Sequence, residues 1–113
     1  GDIIVSRNGR SVEIDNTDAE GRLVMADVFD LAQDEKNYET PLYLINIATL
    51  TGAMRMALGT ELGGFFSNDD ILAQQIIEAG YESGDIMWRM PLFEAYDLLM
   101  QIVLIVHLKW VVL

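Results

Sequence analysis

Apolar and polar positions change their period several times along this chain, and each change marks an element. Residues 3–6 and 11–14 are short β-prone runs. Asn8-Gly9 between them is a strong hairpin signal, because both residues tolerate positive φ. A charged stretch follows as a loop. From Gly21 the period becomes helical. Val24, Val28 and Leu31 recur at i, i+4 and i+7, which predicts a helix running to about Gln33 with those residues on its apolar face. Residues 34–40 form a polar connection closed by Pro41.

Residues 42–47 are a continuous apolar run, as expected for a strand buried on both faces. Residues 48–52 make the turn at its end, and residues 53–58 begin a short helix. Residues 64–67 read as another short strand. Asn68 is then a good N-cap, with Asp69 and Asp70 where the helix dipole favours negative charge. Ile71, Leu72, Gln75, Ile76 and Ala79 form the expected buried face of that helix, which ends near Gly80 or Gly84. Residues 88–91 read as extended, and Leu92 opens another helix. Strands alternating with helices indicate an α/β layer structure.

Composition narrows this picture. At 113 residues the chain is at most one domain, and 51% hydrophobic content points to a globular class. A net charge of -11 lacks the basic footprint that nucleic acid requires. The absence of cysteine excludes disulfides and thiolate metal sites, in keeping with a cytoplasmic protein. Gly1 opens the chain with no basic and apolar leader behind it, and a start within a motif without Met reads as a piece of a longer protein. All 18 acidic residues lie within residues 1–97. Residues 98–113 are apolar apart from Gln101, His107 and Lys109, a stretch that is marginal as a membrane span and also fits a buried helix or strand. His107 lies in that stretch among Val and Leu, so a structural or artefactual role, not a ligand role, is the expectation for it.

The candidate chemistry sits in Asn16-Thr17-Asp18-Ala19-Glu20-Gly21-Arg22-Leu23. An extended backbone would point Asp18, Glu20 and Arg22 to one side. Two acids and a permanent cation converging there suit a divalent-metal site with an anion holder beside it. A bare D-x-E-x-R triplet is more often a solvated, charged lead-in to a helix. Downstream, the turn Ala48-Thr49-Leu50-Thr51-Gly52 lies at the carboxyl end of an expected strand, where ligands of open α/β sheets gather. An ordinary strand-to-helix connection would look the same.

The whole octapeptide resembles the signature of the leucyl aminopeptidase family, also called cytosol aminopeptidases. Further blocks resemble that family in its order: Gly1-Asp2-Ile3-Ile4, Asn8-Gly9, Val12-Glu13, Ala48-Thr49-Leu50-Thr51-Gly52-Ala53, Ala57-Leu58-Gly59-Thr60, Gly64-Phe65-Phe66-Ser67-Asn68 and Trp88-Arg89-Met90-Pro91-Leu92. The likeness covers residues 1–97 as a partial catalytic domain. The tail, 98–113, departs from it, which suggests a frameshift or misassembled end. The resemblance implies a fragment of a mixed-sheet α/β catalytic domain with helices on both faces. It also implies a two-metal aminopeptidase that releases N-terminal residues such as Leu from peptides.

By the same resemblance Asp18 and Glu20 are metal ligands for two divalent ions, Mn2+ or Zn2+, with Mg2+ a third candidate. Arg22 is the catalytic arginine, holding a bicarbonate-like anion. Thr49, Leu50 and Gly52 bind substrate, the Leu50 carbonyl and Gly52 amide contacting the reacting peptide unit. The family assembles as homo-hexamers, so the partners expected are a peptide and further copies of the chain, with no nucleic acid and no membrane. Its site also draws a lysine, aspartates and a second lysine from a segment upstream of residue 1. This chain alone is therefore expected to be inactive. The alternative is a non-catalytic module acting only in subunit association. Asp69-Asp70 reads as helix capping, Met54 and Met56 as core or pocket-wall filler, and Trp88 as a packed tryptophan.

Overall fold

The computed structural model describes residues 1–34, 36, 39 and 42–96, with the backbone of 110–112. The expected connection at 34–41 lies mostly outside them, as does the tail apart from 110–112. The chain forms two compact units, Gly1–Pro41 and Leu42–Leu113.

In the first unit, β1 (Ile3–Val5) pairs antiparallel with β2 (Ser11–Glu13), in the register Ile3↔Glu13, Ile4↔Val12, Val5↔Ser11. The hairpin forms where Asn8-Gly9 places it. The Gly9 N–H donates to the Ser6 carbonyl at 2.9 Å, and the Ser6 N–H to the Arg10 carbonyl at 2.8 Å. Gly9 takes φ 83, the left-handed geometry that closes such a three-residue connection. Asn8 Oδ1 accepts from the Arg10 N–H at 3.2 Å and so ties the far side of the turn.

Helix α1 (Glu20–Ala32) follows close to its expected limits. Its apolar stripe does not lie where expected, however. Val24, Val28 and Leu31 stand 62%, 52% and 40% exposed, while Phe29 is the buried residue. The pattern correctly marks an amphipathic helix, but a two-stranded ribbon is too small to cover a three-turn stripe.

The second unit is a mixed α/β layer. Its strands are β3 (Leu44–Asn46), β4 (Gly63–Ser67), β5 (Met87–Arg89) and β6 (Trp110–Val112), and they lie side by side in the order β3-β6-β4-β5. Strands β4 and β5 are parallel, as are β3 and β6, while β6 runs antiparallel to β4. Helix α2 (Ala53–Leu58) follows β3, and helix α3 (Asp70–Ser83) carries the chain from β4 to β5. Such a crossover is what two parallel strands require. The core joins Phe65 of β4 to Leu72 and Ala73 of α3, with Ile76, Ile77 and Met87 packed around them.

Several expectations change here. The cap of α3 is Asp69 rather than Asn68: Asp69 is extended, and its Oδ1 accepts the Leu72 N–H at 2.7 Å. The Ser67 hydroxyl takes the Asp69 N–H at 3.1 Å, which starts the helix one residue later. The buried face is Leu72, Ala73, Ile76, Ile77 and Gly80, with Ile71 turned to solvent. Gly80 does not end the helix. A Cβ there would meet the Asp85 carbonyl at 2.6 Å, so glycine lets the returning chain pass close beneath, and Gly84 provides the stop.

Strand β3 is covered on one face only, with Leu44 buried and Ile45 57% exposed. Trp88 is 56% exposed rather than packed, and Met56 is exposed rather than a filler. After Leu92 the described chain makes a single 3-10 turn, Glu94–Tyr96, braced by edge-to-face packing of Phe93 on Tyr96. No helix among the described residues is long and apolar enough to cross a membrane.

Candidate active-site segments

The signature is neither extended nor a plain loop. Asn16 turns the chain: its Oδ1 accepts the Asp18 N–H at 2.9 Å, and its carbonyl accepts the Ala19 N–H at 3.2 Å. This makes Thr17–Ala19 a 3-10 turn that runs directly into α1. Asp18 therefore sits in the turn, Glu20 is the first helical residue, and Arg22 lies in the first helical turn. The period-two alignment is lost. Residues two apart on a helix lie about 200° apart around its axis, so Glu20 and Arg22 leave it in different directions.

All three side chains are exposed, and none is in an ion pair with another described residue. The acids stand at the positive end of the helix dipole, which also favours them structurally. Their hard oxygens suit divalent cations. Two carboxylates do not complete a coordination shell, and among the described residues no group of three or more His, Cys, Asp or Glu side chains gathers that could hold a metal.

In the second unit, Thr49, Leu50 and Gly52 occupy the irregular segment between β3 and α2, and all three are exposed. Thr51 Oγ1 accepts the Ala53 N–H at 3.3 Å and caps the start of α2. Thr49 and Thr51 form one wall of an open cavity of about 490 Å³, together with Met54, Arg55, Gly64 and Met87. Leu50 and Gly52 do not line it. Met54 lies against Gly64, where any larger residue would displace its sulfur. The pocket-wall expectation for Met54 is thus met.

Two arginine clusters escaped the pattern reading. Arg89 on β5 donates through Nη2 to the Ser67 carbonyl at 3.0 Å and pairs through Nη1 with Asp70 at 2.8 Å, tying β5 to the start of α3. In the hairpin turn, the Arg7 N–H donates to Asp27 Oδ1 at 3.0 Å. Its guanidinium is bonded to the carboxylates of Asp30 and of Asp34, the latter at 2.6 Å. Bonding to Asp34, then to Asp30, holds the guanidinium above its already high ordinary pKa. That contribution is complete below the ordinary value and is lost only as pH rises through a still higher one, so Arg7 stays charged at every working pH. The available signal was the acidic spacing 27, 30 and 34, at i, i+3 and i+7, which begins on α1, ends two residues past it and favours a cation beside it.

The comparisons with known proteins agree on one family. The model of the cytosol aminopeptidase family, catalytic domain, matches residues 1–108. A probable cytosol aminopeptidase of Chlamydia felis is 50% identical over 101 residues, which cover 89% of this chain and 20% of that protein. One from Xanthobacter autotrophicus is 50% identical over 97 residues, covering 86% of this chain and 19% of its own length. Among solved structures, a mutant tomato leucine aminopeptidase superposes with a TM-score of 0.82 at 32% identity, over 99% of this chain and 26% of that one. The chain thus spans about a fifth of the length of the curated relatives it matches.

Proposed function

The chain belongs to the cytosol aminopeptidase family, and from that membership we propose that it forms part of the catalytic domain of a metal-dependent aminopeptidase that releases N-terminal residues such as leucine from peptides. The observation that carries this reading is the intact Asp18, Glu20 and Arg22 set at the start of α1, inside a segment that the family model spans. Asp18 and Glu20 contribute carboxylate oxygens to two divalent cations, Mn2+ or Zn2+ with Mg2+ as a third choice, and offset their charge. The remaining ligands come from outside the described residues. Such cations, when bound, supply Lewis acidity and a readily deprotonated water.

Arg22 presents a planar fork of donors that fits a bicarbonate or carboxylate-like anion. The Gly52 N–H donates to the oxygen that becomes negative as the peptide carbonyl is attacked, and the Leu50 carbonyl accepts from the same peptide unit. Thr49 borders the space next to them. The working protein is a cytoplasmic homo-oligomer, hexameric as in the family.

A non-catalytic association module is the second reading. The absence of any three-ligand group among the described residues favours it for this chain alone. Asp18→Asn and Glu20→Gln, each made in a full-length polypeptide carrying these 113 residues, separate the two readings. Hydrolysis of a leucyl anilide should fall at least about a hundredfold, the upper end of what loss of a supporting partner of a metal ligand costs. Retained turnover in both variants would leave the association module standing.

A further inference from the structure

The strands and α1 of the first unit form an arch. Strand β2 leads down from the hairpin turn to the signature, and α1 leads back, so that Asp27 and Asp30 of the helix and Asp34 just past its end meet Arg7 in the turn. The signature lies in the bend between them. Three bonds close the open end: the Arg7 N–H to Asp27, and the two arms of its guanidinium to Asp30 and Asp34. A single residue thus joins positions 20, 23 and 27 apart in sequence, and the loop it closes contains Asp18, Glu20 and Arg22.

Little else in the unit could do this. Ile3 and Val5 of β1 are 71% and 70% exposed, Val24, Val28 and Leu31 of α1 also face solvent, and Phe29 is the one buried apolar residue of the helix, so burial between hairpin and helix is small. A fork of donors held by two carboxylates fixes direction as well as distance, whereas a lysine would reach only one partner with a swivelling head. Closing the loop removes conformations in which the 3-10 turn and the helix start shift relative to β2.

We propose that Arg7 is a positioning residue: by clamping the hairpin turn to Asp27 and Asp30 of α1 and to Asp34 just beyond its end, it sets the mutual placement of Asp18, Glu20 and Arg22 at the other end of the arch. This rests on the proposed function of those three residues. Reacting groups displaced by about 1 Å by a distant substitution lose up to about a hundredfold in rate, so the clamp acts on turnover more than on substrate affinity.

The test uses a full-length polypeptide carrying this sequence, with Arg7→Ala, Arg7→Lys, the pair Asp30→Ala with Asp34→Ala, and all three alanines combined. For Arg7→Ala, kcat on a leucyl anilide should fall about tenfold or more while KM stays within about twofold. Arg7→Lys should fall in between, and the triple variant should be no worse than Arg7→Ala, because the partners act as one unit. Hydrogen-exchange mass spectrometry gives a readout apart from activity: a peptide spanning residues 14–23 should exchange about tenfold faster in Arg7→Ala, with peptides of β4 and α3 unchanged.

Unchanged kcat and unchanged exchange in Arg7→Ala would overturn the proposal while a dead Asp18→Asn variant left the aminopeptidase reading intact. Full turnover in Asp18→Asn would remove that reading and the positioning role with it. If Arg7→Ala does not fold, Arg7→Lys decides: parental kcat and parental exchange in that variant overturn the forked clamp.

Discussion

The two units hold themselves together by different means. Unit Leu42–Leu113 has a core of its own: Phe65 is wholly buried against Leu72 and Ala73, and α3 is capped at both ends. Unit Gly1–Pro41 buries a single apolar residue of α1, Phe29, and relies on a hairpin turn, an Asn16 cap and the Arg7 clamp. The signature residues belong to the second kind of structure. The difference teaches that the segment bearing the signature is held by directional polar bonds, while the segment bearing the four-stranded sheet is held by burial. Burial tolerates small shifts of shape. Forked hydrogen bonds do not, which suits the role proposed for the signature residues.

Three variants of this chain probe the contrast, beginning with the largest effect. Phe65→Ala removes the centre of the core and should destabilise the Leu42–Leu113 unit by about 3–5 kcal/mol in urea unfolding. A loss below about 1 kcal/mol would mean that burial does not carry that unit. Asp69→Ala removes the carboxylate that accepts the Leu72 N–H and should cost about 1 kcal/mol, seen as a lower urea midpoint at unchanged slope.

The smallest effect is expected from Val24→Ser with Val28→Ser. In this chain both positions face solvent, so the pair should change stability by no more than about 0.5 kcal/mol per site. In a full-length polypeptide, where further chain is available to cover the stripe, each should cost about 1.5 kcal/mol or more. Equal costs in the two settings would show that the stripe is exposed in both.

Local chemistry was legible from the residues. Asn8-Gly9 meant a turn, the run from Gly21 meant a helix, and Gly84 stopped α3, because each of these depends on neighbours a few residues away. The blocks around residues 16–23 and 48–53 led to the right family for the same reason: a site is written as short, ordered motifs. The cap of α3 moved from Asn68 to Asp69 through the neighbouring Ser67 hydroxyl, but most misreadings arose where a more distant partner decided the outcome. Val24, Val28 and Leu31 have the spacing of a buried face, yet no element in their unit is large enough to cover them. Ile71 lost its place in the core to Ala73, because the position of β4 and β5 decides which side of α3 is covered. Gly80 reads as a helix stop until the returning backbone at Asp85 is seen to pass beneath it.

By itself the sequence determined the family and most of the order of strands and helices, though not the strand Trp110–Val112 or the short turn after Leu92. Periodicity and motif depend on residues near in the chain, and these are present in any string of letters. Only the tertiary structure decided that Arg7 closes the arch above the signature and which apolar faces find cover. Those outcomes depend on pairs 20 or more residues apart, whose meeting is set by the geometry of everything between them.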